Sequence, residues 1–238
     1  MQKAVRVVAV VLVLGFLVAL IAYNVANPPK PDYTPWTMAM TQGDKDTAEH
    51  HFVMYTDIFC PYCNKFSIAV MANQEEFEKE WLEEKKIFFE LRVTDLNYVS
   101  GHSDNSRPAG EGAYCAAKQD KFWEYYHNLL QKIWDDYYVN GIGIDRDAEV
   151  IPTLASDYYY DAAEKGGLDM ESFKSCFDNH EGADELDKNT LKAQKYITSG
   201  VPQFNFDKFS YSGFVGVWDS DTDWKQAKLM LEAGLTTK

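Results

Sequence analysis

The chain is short of positive charge. Against 37 Asp and Glu it sets 23 Lys and Arg, for a formal net charge of −14. A surface that grips phosphates needs clustered Lys and Arg, so nucleic acid is excluded as a partner. The acidity instead suits keeping an exposed domain soluble. Cysteine is scarce as well, four in 238 residues. A structural zinc site needs four ligands, usually two close pairs or one pair with nearby His. Cys115 and Cys176 each stand alone, and His50, His51, His102, His127 and His180 show no ligand spacing. No metal and no cofactor is expected. "DSDTDW" (219–224) opens like a calcium loop, but its sixth position is Trp224 and its twelfth Met230. Without the glycine and the closing carboxylate it is better read as a helix cap. There is no internal repeat and no long low-complexity tract.

Long apolar runs are absent except for one. From Val7 to Ala22 no side chain is polar or charged, and apolar character continues weakly to Ala26. About 20 helical residues span the roughly 30 Å hydrocarbon layer. Lys3 and Arg6 precede the run, so the N-terminus is expected to stay cytoplasmic and the remainder to cross. A cleaved signal peptide is the competing reading. A cut after Ala22 would place Leu20, and a cut after Ala26 would place Asn24, where a small residue is wanted. The expected layout is a cytoplasmic stub and transmembrane anchor over 1–26, a linker over 27–48 and a folded domain over 49–238. Pro28, Pro29, Pro31 and Pro35 favour an extended spacer in the linker. The protein is thus expected to be single-pass in the cell membrane, with its domain outside the cytoplasm.

Within that domain, "HFVMYTDIF" (51–59) is a near-continuous apolar run suited to a strand buried on both faces. Helical spacing follows at Cys63, Phe66 and Val70, and "NQEEFEKEWLEEKK" extends the helix to about Lys86. "IFFELRV" (87–93) alternates Ile87, Phe89, Leu91 and Val93 against Glu90 and Arg92, as a strand does. Strand, long helix and strand make one right-handed parallel unit. From about 103 to 199 the periods are helical. Pro108 falls in the first turn of a helix opening at Ser106, Gly166 and Gly167 end another, and Asp169 caps a third. "VPQFNF" and "KFSYSGFVG" return to strand character, joined at Asp207–Lys208 as a hairpin, and a last helix carries a Trp224/Ala227/Leu231 stripe. The fold class is α/β: a small mixed sheet with flanking helices, interrupted by a helical insertion.

The chemistry centres on "DIFCPYCNKF" (57–66), where Cys60 and Cys63 flank Pro61 and Tyr62. Zinc site, inert staple, inactive relic and redox pair are the four readings. So short a disulfide loop closes little chain entropy and sits awkwardly on a helix. A redox pair fits the placement. Cys60 lies where a strand ends and a helix starts, facing unsatisfied backbone N–H groups and the positive end of the helix dipole. Cys63 lies one turn in. Cys60 is then the exchanging sulfur and Cys63 the resolving one. A helix-start thiol brought to a pKa of about 5 favours the reduced pair by about 2.7 kcal/mol at pH 7, which makes the couple roughly 60 mV more oxidising.

"TDIFCPYCNKFS" after a buried strand, "AYCAAKQDKFWEYYHNLL" in the helical block and "SGVPQF" before a strand together resemble the DsbA-like thioredoxin-fold family, in its membrane-anchored BdbD-type branch. The resemblance spans roughly residues 50–236. It implies that Cys60 is the nucleophile and Cys63 its buried partner. It also implies that Val201 and a cis Pro202 face them across the site, with Val201 offering its backbone to an extended client chain. Asp57 matches an acidic position of many relatives and is a candidate proton relay. Two departures stand out: Tyr62 where DsbA has histidine, and Met54 where many relatives have a buried glutamate.

If Cys60 pairs with Cys63, Cys115 and Cys176 are left to each other, as a second structural bond found in related proteins; two separate buried thiols are the alternative. Such a bond would close about sixty residues and stabilise by roughly 4 kcal/mol. Phe122, Trp123, Tyr125, Tyr126 and Trp134 form an aromatic group read mainly as core, with a rim that could meet unfolded clients. The expected function is an extracytoplasmic protein disulfide oxidoreductase that donates the Cys60–Cys63 bond to reduced exported proteins. The resemblance implies that a DsbB-like or VKOR-like membrane protein reoxidises it. A reductase or isomerase on the same fold, or a noncatalytic chaperone-like domain, is the alternative.

Overall fold

In the computed structural model the described residues are 36–37, 40–145, 147–207, 209–214, 216–217 and 219–236. The expected anchor and half of the linker lie outside them. Among the described residues no helix is long and apolar enough to cross a membrane.

Five strands form one mixed sheet: β1 (Thr41–Gln42), β2 (His50–Thr56), β3 (Ile87–Val93), β4 (Gln203–Asn205) and β5 (Ser210–Ser212), in the order β1-β3-β2-β4-β5. The β2–β3 pair is parallel and the other pairs are antiparallel. β1 lies within the stretch expected to be linker, and Met40 beside it is buried. A two-residue edge strand is too short for side-chain alternation to reveal.

β2 stops at Thr56, three residues short of the expected Phe59. Asp57 ends it by taking the Phe59 N–H on its side chain at 2.9 Å, a local bond that competes with the ladder. α1 (Pro61–Ala72) follows, and it does not run on to Lys86. Asn73 breaks it with φ −126°, its side chain bonding back to the Ala69 carbonyl at 2.9 Å. A turn at Gln74–Glu76 and a π-helical segment, Phe77–Glu84, complete the crossover. That wider coil still delivers Phe77 and Trp81 to the core.

β3 departs from the two-faced strand its alternation suggested, because all seven residues are buried. Trp36 covers the second face, with the Arg92 guanidinium 5.0 Å from its ring centre. Glu90 and Arg92 neutralise each other there.

The helical block comprises α2 (Leu96–Val99), α3 (Ser106–Ala117), α4 (Phe122–Asp136), α5 (Ser156–Lys165), α6 (Met170–Asp178) and α7 (Ala183–Ala193). Asp169 caps α6 by accepting the Ser172 N–H at 2.8 Å. Cys115 of α3 and Cys176 of α6 are joined in a disulfide, their Cα atoms 5.8 Å apart. Phe122, Tyr125 and Tyr126 are core residues, while Trp123 and Trp134 are only partly buried. α8 (Ser220–Thr236) packs against α1 through Trp224, Ala227 and Leu231. Aromatic rings knit sheet and helices together: Phe52 stacks on Phe206 at 4.4 Å, and Phe66 meets Phe204 at 4.8 Å.

Candidate active site

The β2–α1 junction places Cys60 as the N-cap of α1, with Pro61 in the first turn. Proline costs nothing there, because its missing N–H would have been unpaired in any case. The Cys60 sulfur accepts the Cys63 N–H at 3.4 Å, the position a capping oxygen usually fills. Across the sheet the Val201–Pro202 peptide bond is cis, and the Cys60 thiol donates to the Val201 carbonyl at 3.4 Å. The Val201 carbonyl and the Cys63 N–H thus meet at the Cys60 sulfur, with Pro202 the residue after that carbonyl. Tyr62 is 43% exposed at the rim, whereas Cys60 and Cys63 are 5% and 0% exposed. The Lys65 ammonium stands 5.1 Å from the Tyr62 ring centre and donates to the Gly216 carbonyl at 2.9 Å.

The two sulfurs differ in surroundings. Burial pushes the Cys63 thiol well above its ordinary pKa, and the neighbouring Cys60 adds to the effect. The Asp57 backbone N–H and the Thr56 hydroxyl face Cys63 and work in the opposite direction. Cys63 is thus held as a thiol until it reacts.

Asp57 is fully buried. Its two carboxyl oxygens accept the Phe59 and Asn97 N–H groups, each at 2.9 Å, tying the active-site turn to the start of α2. Its backbone carbonyl accepts the Cys60 N–H at 3.0 Å. Burial pushes its pKa up to about 7 despite those bonds.

Sequence reading missed the roles of four residues. Tyr138 donates its hydroxyl to the Phe59 carbonyl at 3.1 Å, fixing the residue before Cys60. Asn64 donates to the Leu130 carbonyl at 3.3 Å, and Ser67 shares a 2.8 Å hydrogen bond with Tyr126, so α4 is laced to α1 beside Cys63. In the sequence Tyr126 is one of an aromatic group of core character, and nothing local distinguishes its hydroxyl. Cys115 and Cys176 lie in the helical block, bonded to each other. Among the described residues no group of His, Cys, Asp and Glu could hold a metal ion.

A family model described as thioredoxin matches residues 37–217. The probable disulfide bond formation protein D of Bacillus anthracis is 24% identical over 200 residues, covering 82% of this chain and 81% of its own. The structure of oxidised BdbD from Bacillus subtilis superposes with a TM-score of 0.59 at 18% identity, over 83% of this chain and 93% of that one. DsbA from Chlamydia trachomatis gives 0.56 at 14% identity, over 89% and 97%. At such identities the likeness to the solved structures is one of fold.

Proposed function

The chain belongs to the thioredoxin family, and from that premise we propose that it is a protein thiol–disulfide oxidoreductase acting through Cys60 and Cys63. The supporting observation is the Cys60 sulfur at the N-cap of α1, accepting a backbone N–H while its partner is sealed beneath it. Burial holds the inner sulfur as a thiol, while the outer one caps the helix and meets the Val201 carbonyl, so the two are set up for unequal roles in exchange.

In the donor direction a client thiolate attacks Cys60 of the disulfide. The Cys60–Cys63 bond breaks, Cys63 departs with the electron pair and takes up a proton, and a mixed disulfide forms. The client's second thiolate then attacks the client sulfur in that bond, leaving with its own disulfide and releasing the Cys60 thiolate. Two electrons pass from client to protein. Val201 supplies an edge on which an extended client can pair. Asp57 holds the turn, and a pKa near 7 suits it to exchange a proton in the neutral range once it gives up one of its backbone bonds.

The reading includes location. The apolar segment 7–22 anchors the protein with its domain outside the cytoplasm, where reduced exported proteins are the clients. A DsbB-like or VKOR-like membrane protein removes the two electrons. The relative from Bacillus anthracis is itself named for disulfide bond formation.

Equilibration of the full-length protein with a glutathione buffer tests the direction. A potential well above the roughly −270 mV of thioredoxin is expected. A value at or below it would reassign the protein as a reductase. Protease digestion of intact cells tests the topology: protection of the domain until the membrane is breached would remove the anchored, outward-facing arrangement.

A further inference from the structure

Residues 198–202 carry the Val201 carbonyl to within 3.4 Å of the Cys60 sulfur, so whatever fixes this loop fixes one wall of the exchange site. Packing fixes it only in part. The Val201 side chain lies against the core, but a Cβ on Gly200 would meet nothing within 4 Å. The remaining hold is polar and runs through Gln203, the first residue of β4. Its backbone lies opposite Tyr55 of β2 and Ser212 of β5, and the residue is fully buried. A buried carboxamide is costly unless both of its ends are bonded. Here the oxygen accepts the Thr198 N–H at 3.2 Å and the Thr198 hydroxyl at 3.0 Å, which closes the loop at its start. The nitrogen faces the Ser210 hydroxyl at 2.8 Å, and the Tyr211 carbonyl and the Asn205 side-chain oxygen each at 3.0 Å. A backbone N–H only donates and a backbone carbonyl only accepts, so these partners fix which end of the amide is which. Ser212 adds a second tie by donating its hydroxyl to the Gly200 carbonyl at 3.3 Å.

We propose that Gln203 is a positioning residue for polypeptide clients. It clasps the start of the 198–202 loop to the β4–β5 hairpin and so holds the Val201 carbonyl ready for the backbone of an extended chain. The proposal rests on the exchange reading of Cys60 and on the client edge at Val201. A carbonyl oxygen has two lone pairs, so the one that meets the Cys60 thiol can also take a client N–H. Gln203 makes its side-chain bonds to the loop and the hairpin, not to either cysteine. Its loss therefore bears on reaction with polypeptide and spares reaction with a small disulfide that has no backbone to pair. An apolar side chain of the same length leaves the Thr198 N–H and the Tyr211 carbonyl without this partner, and the loop is free to shift. A glutamate keeps an oxygen for Thr198 and, while protonated, an O–H for the Tyr211 carbonyl. Once ionised it sets an oxygen against that carbonyl and the Asn205 oxygen. The groups around the amide, Thr198, Asn205, Ser210 and the Tyr211 carbonyl, carry no charge to offset this.

Two disulfides with one leaving group provide the test: thionitrobenzoate joined either to the cysteine of an unstructured peptide or to 2-mercaptoethanol. Reduced full-length protein attacks each through Cys60. A new disulfide forms at Cys60, the old one breaks, and thionitrobenzoate leaves with the electron pair, its absorbance giving the rate. Both reactions use the same sulfur, so its degree of ionisation cancels from their ratio. Wild type is expected to prefer the peptide. Gln203→Met should lower the peptide-to-mercaptoethanol ratio about tenfold. Thr198→Val, at an exposed residue, should lower it by less and guards against a folding defect in the first variant. Gln203→Glu should match wild type at pH 5 and Gln203→Met at pH 8. A glutamine that only stabilised the hairpin would lower the urea midpoint when replaced and leave the ratio where it was. A wild-type ratio near one, or a ratio unchanged in both Gln203→Met and Thr198→Val, overturns the proposal. Failure of wild type to release thionitrobenzoate from either disulfide sinks instead the exchange reading beneath it.

Discussion

The Val201 carbonyl oxygen lies 3.4 Å from the Cys60 sulfur, although 141 positions separate the two residues in sequence. Cys60 therefore sits between two backbone groups of opposite character, the Cys63 N–H that donates to it and the Val201 carbonyl that accepts from it. The helix start and the loop before β4 thus bring both groups to one sulfur.

That arrangement predicts unequal roles for the two sulfurs. Cys63→Ser should still react with a client disulfide or with glutathione but should stall as a mixed disulfide at Cys60. Cys60→Ser should lose exchange altogether, because Cys63 is sealed. Non-reducing mass spectrometry of each variant checks this, and an adduct on Cys63 in the Cys60→Ser protein would reverse the assignment.

Asp57 predicts a pH dependence of stability. Its folded pKa is raised to about 7 from the ordinary value of 3.8. The folded state therefore holds the proton more tightly than the unfolded state does. The associated stability is fully present below about pH 4 and is lost as the pH rises through about 7. A gap of about three pKa units is worth on the order of 4 kcal/mol as an upper figure. His127, with its lowered pKa, works in the opposite direction below neutrality, so the comparison must be with a variant. Asp57→Asn should flatten the slope of urea-unfolding free energy between pH 4 and 7. An unchanged slope would show that Asp57 is ionised throughout.

Much of the site was legible because its signal is local. Two cysteines one turn apart, a proline at the first helical position and a preceding apolar run mark a strand–helix junction without any tertiary knowledge. The hydrogen bond between Ser67 and Tyr126 was not legible, because the two come from different elements and each has an ordinary reason to be where it is. The same distinction explains β3. Its alternation correctly gave a strand, but which face is covered depends on Trp36, far away in sequence. The expected long crossover helix failed at Asn73 for a subtler reason: its side chain closes the preceding turn, and the coil that follows is wider than an α-helix.

The Cys115–Cys176 bond predicts a stability effect separable from the chemistry. It links residues 61 apart, for which loop closure in the unfolded chain gives about 4 kcal/mol. Replacing both cysteines by serine should lower Tm by roughly 10 °C. Exchange at Cys60 should be retained at temperatures where the variant is folded. Equal loss of exchange and stability would mean that the bond also shapes the site.

The buried Glu90–Arg92 pair makes the sharpest stability prediction. Their side chains are 1% and 0% exposed, and the guanidinium grips the carboxylate through two bonds, Nε to Oε1 at 2.8 Å and Nη2 to Oε2 at 2.9 Å. Trp36 N–H also donates to that carboxylate at 3.0 Å, and His51 Nε2 approaches it at 3.3 Å. Arg92→Met would leave the carboxylate buried with most of its charge uncompensated, a loss of about 3 to 5 kcal/mol. An unpaired buried Glu keeps its proton to higher pH. The deficit should therefore be smallest in acid and grow as the pH rises through the raised folded pKa. Glu90→Gln combined with Arg92→Met removes both charges while leaving an oxygen for the Trp36 N–H, and should recover most of the loss. Urea unfolding of the two single variants and the double variant at pH 5 and pH 8 closes the cycle. Simple addition of the two single losses in the double variant would show that the pair is not coupled, and that the buried face of β3 is held by Trp36 and the surrounding apolar contacts alone.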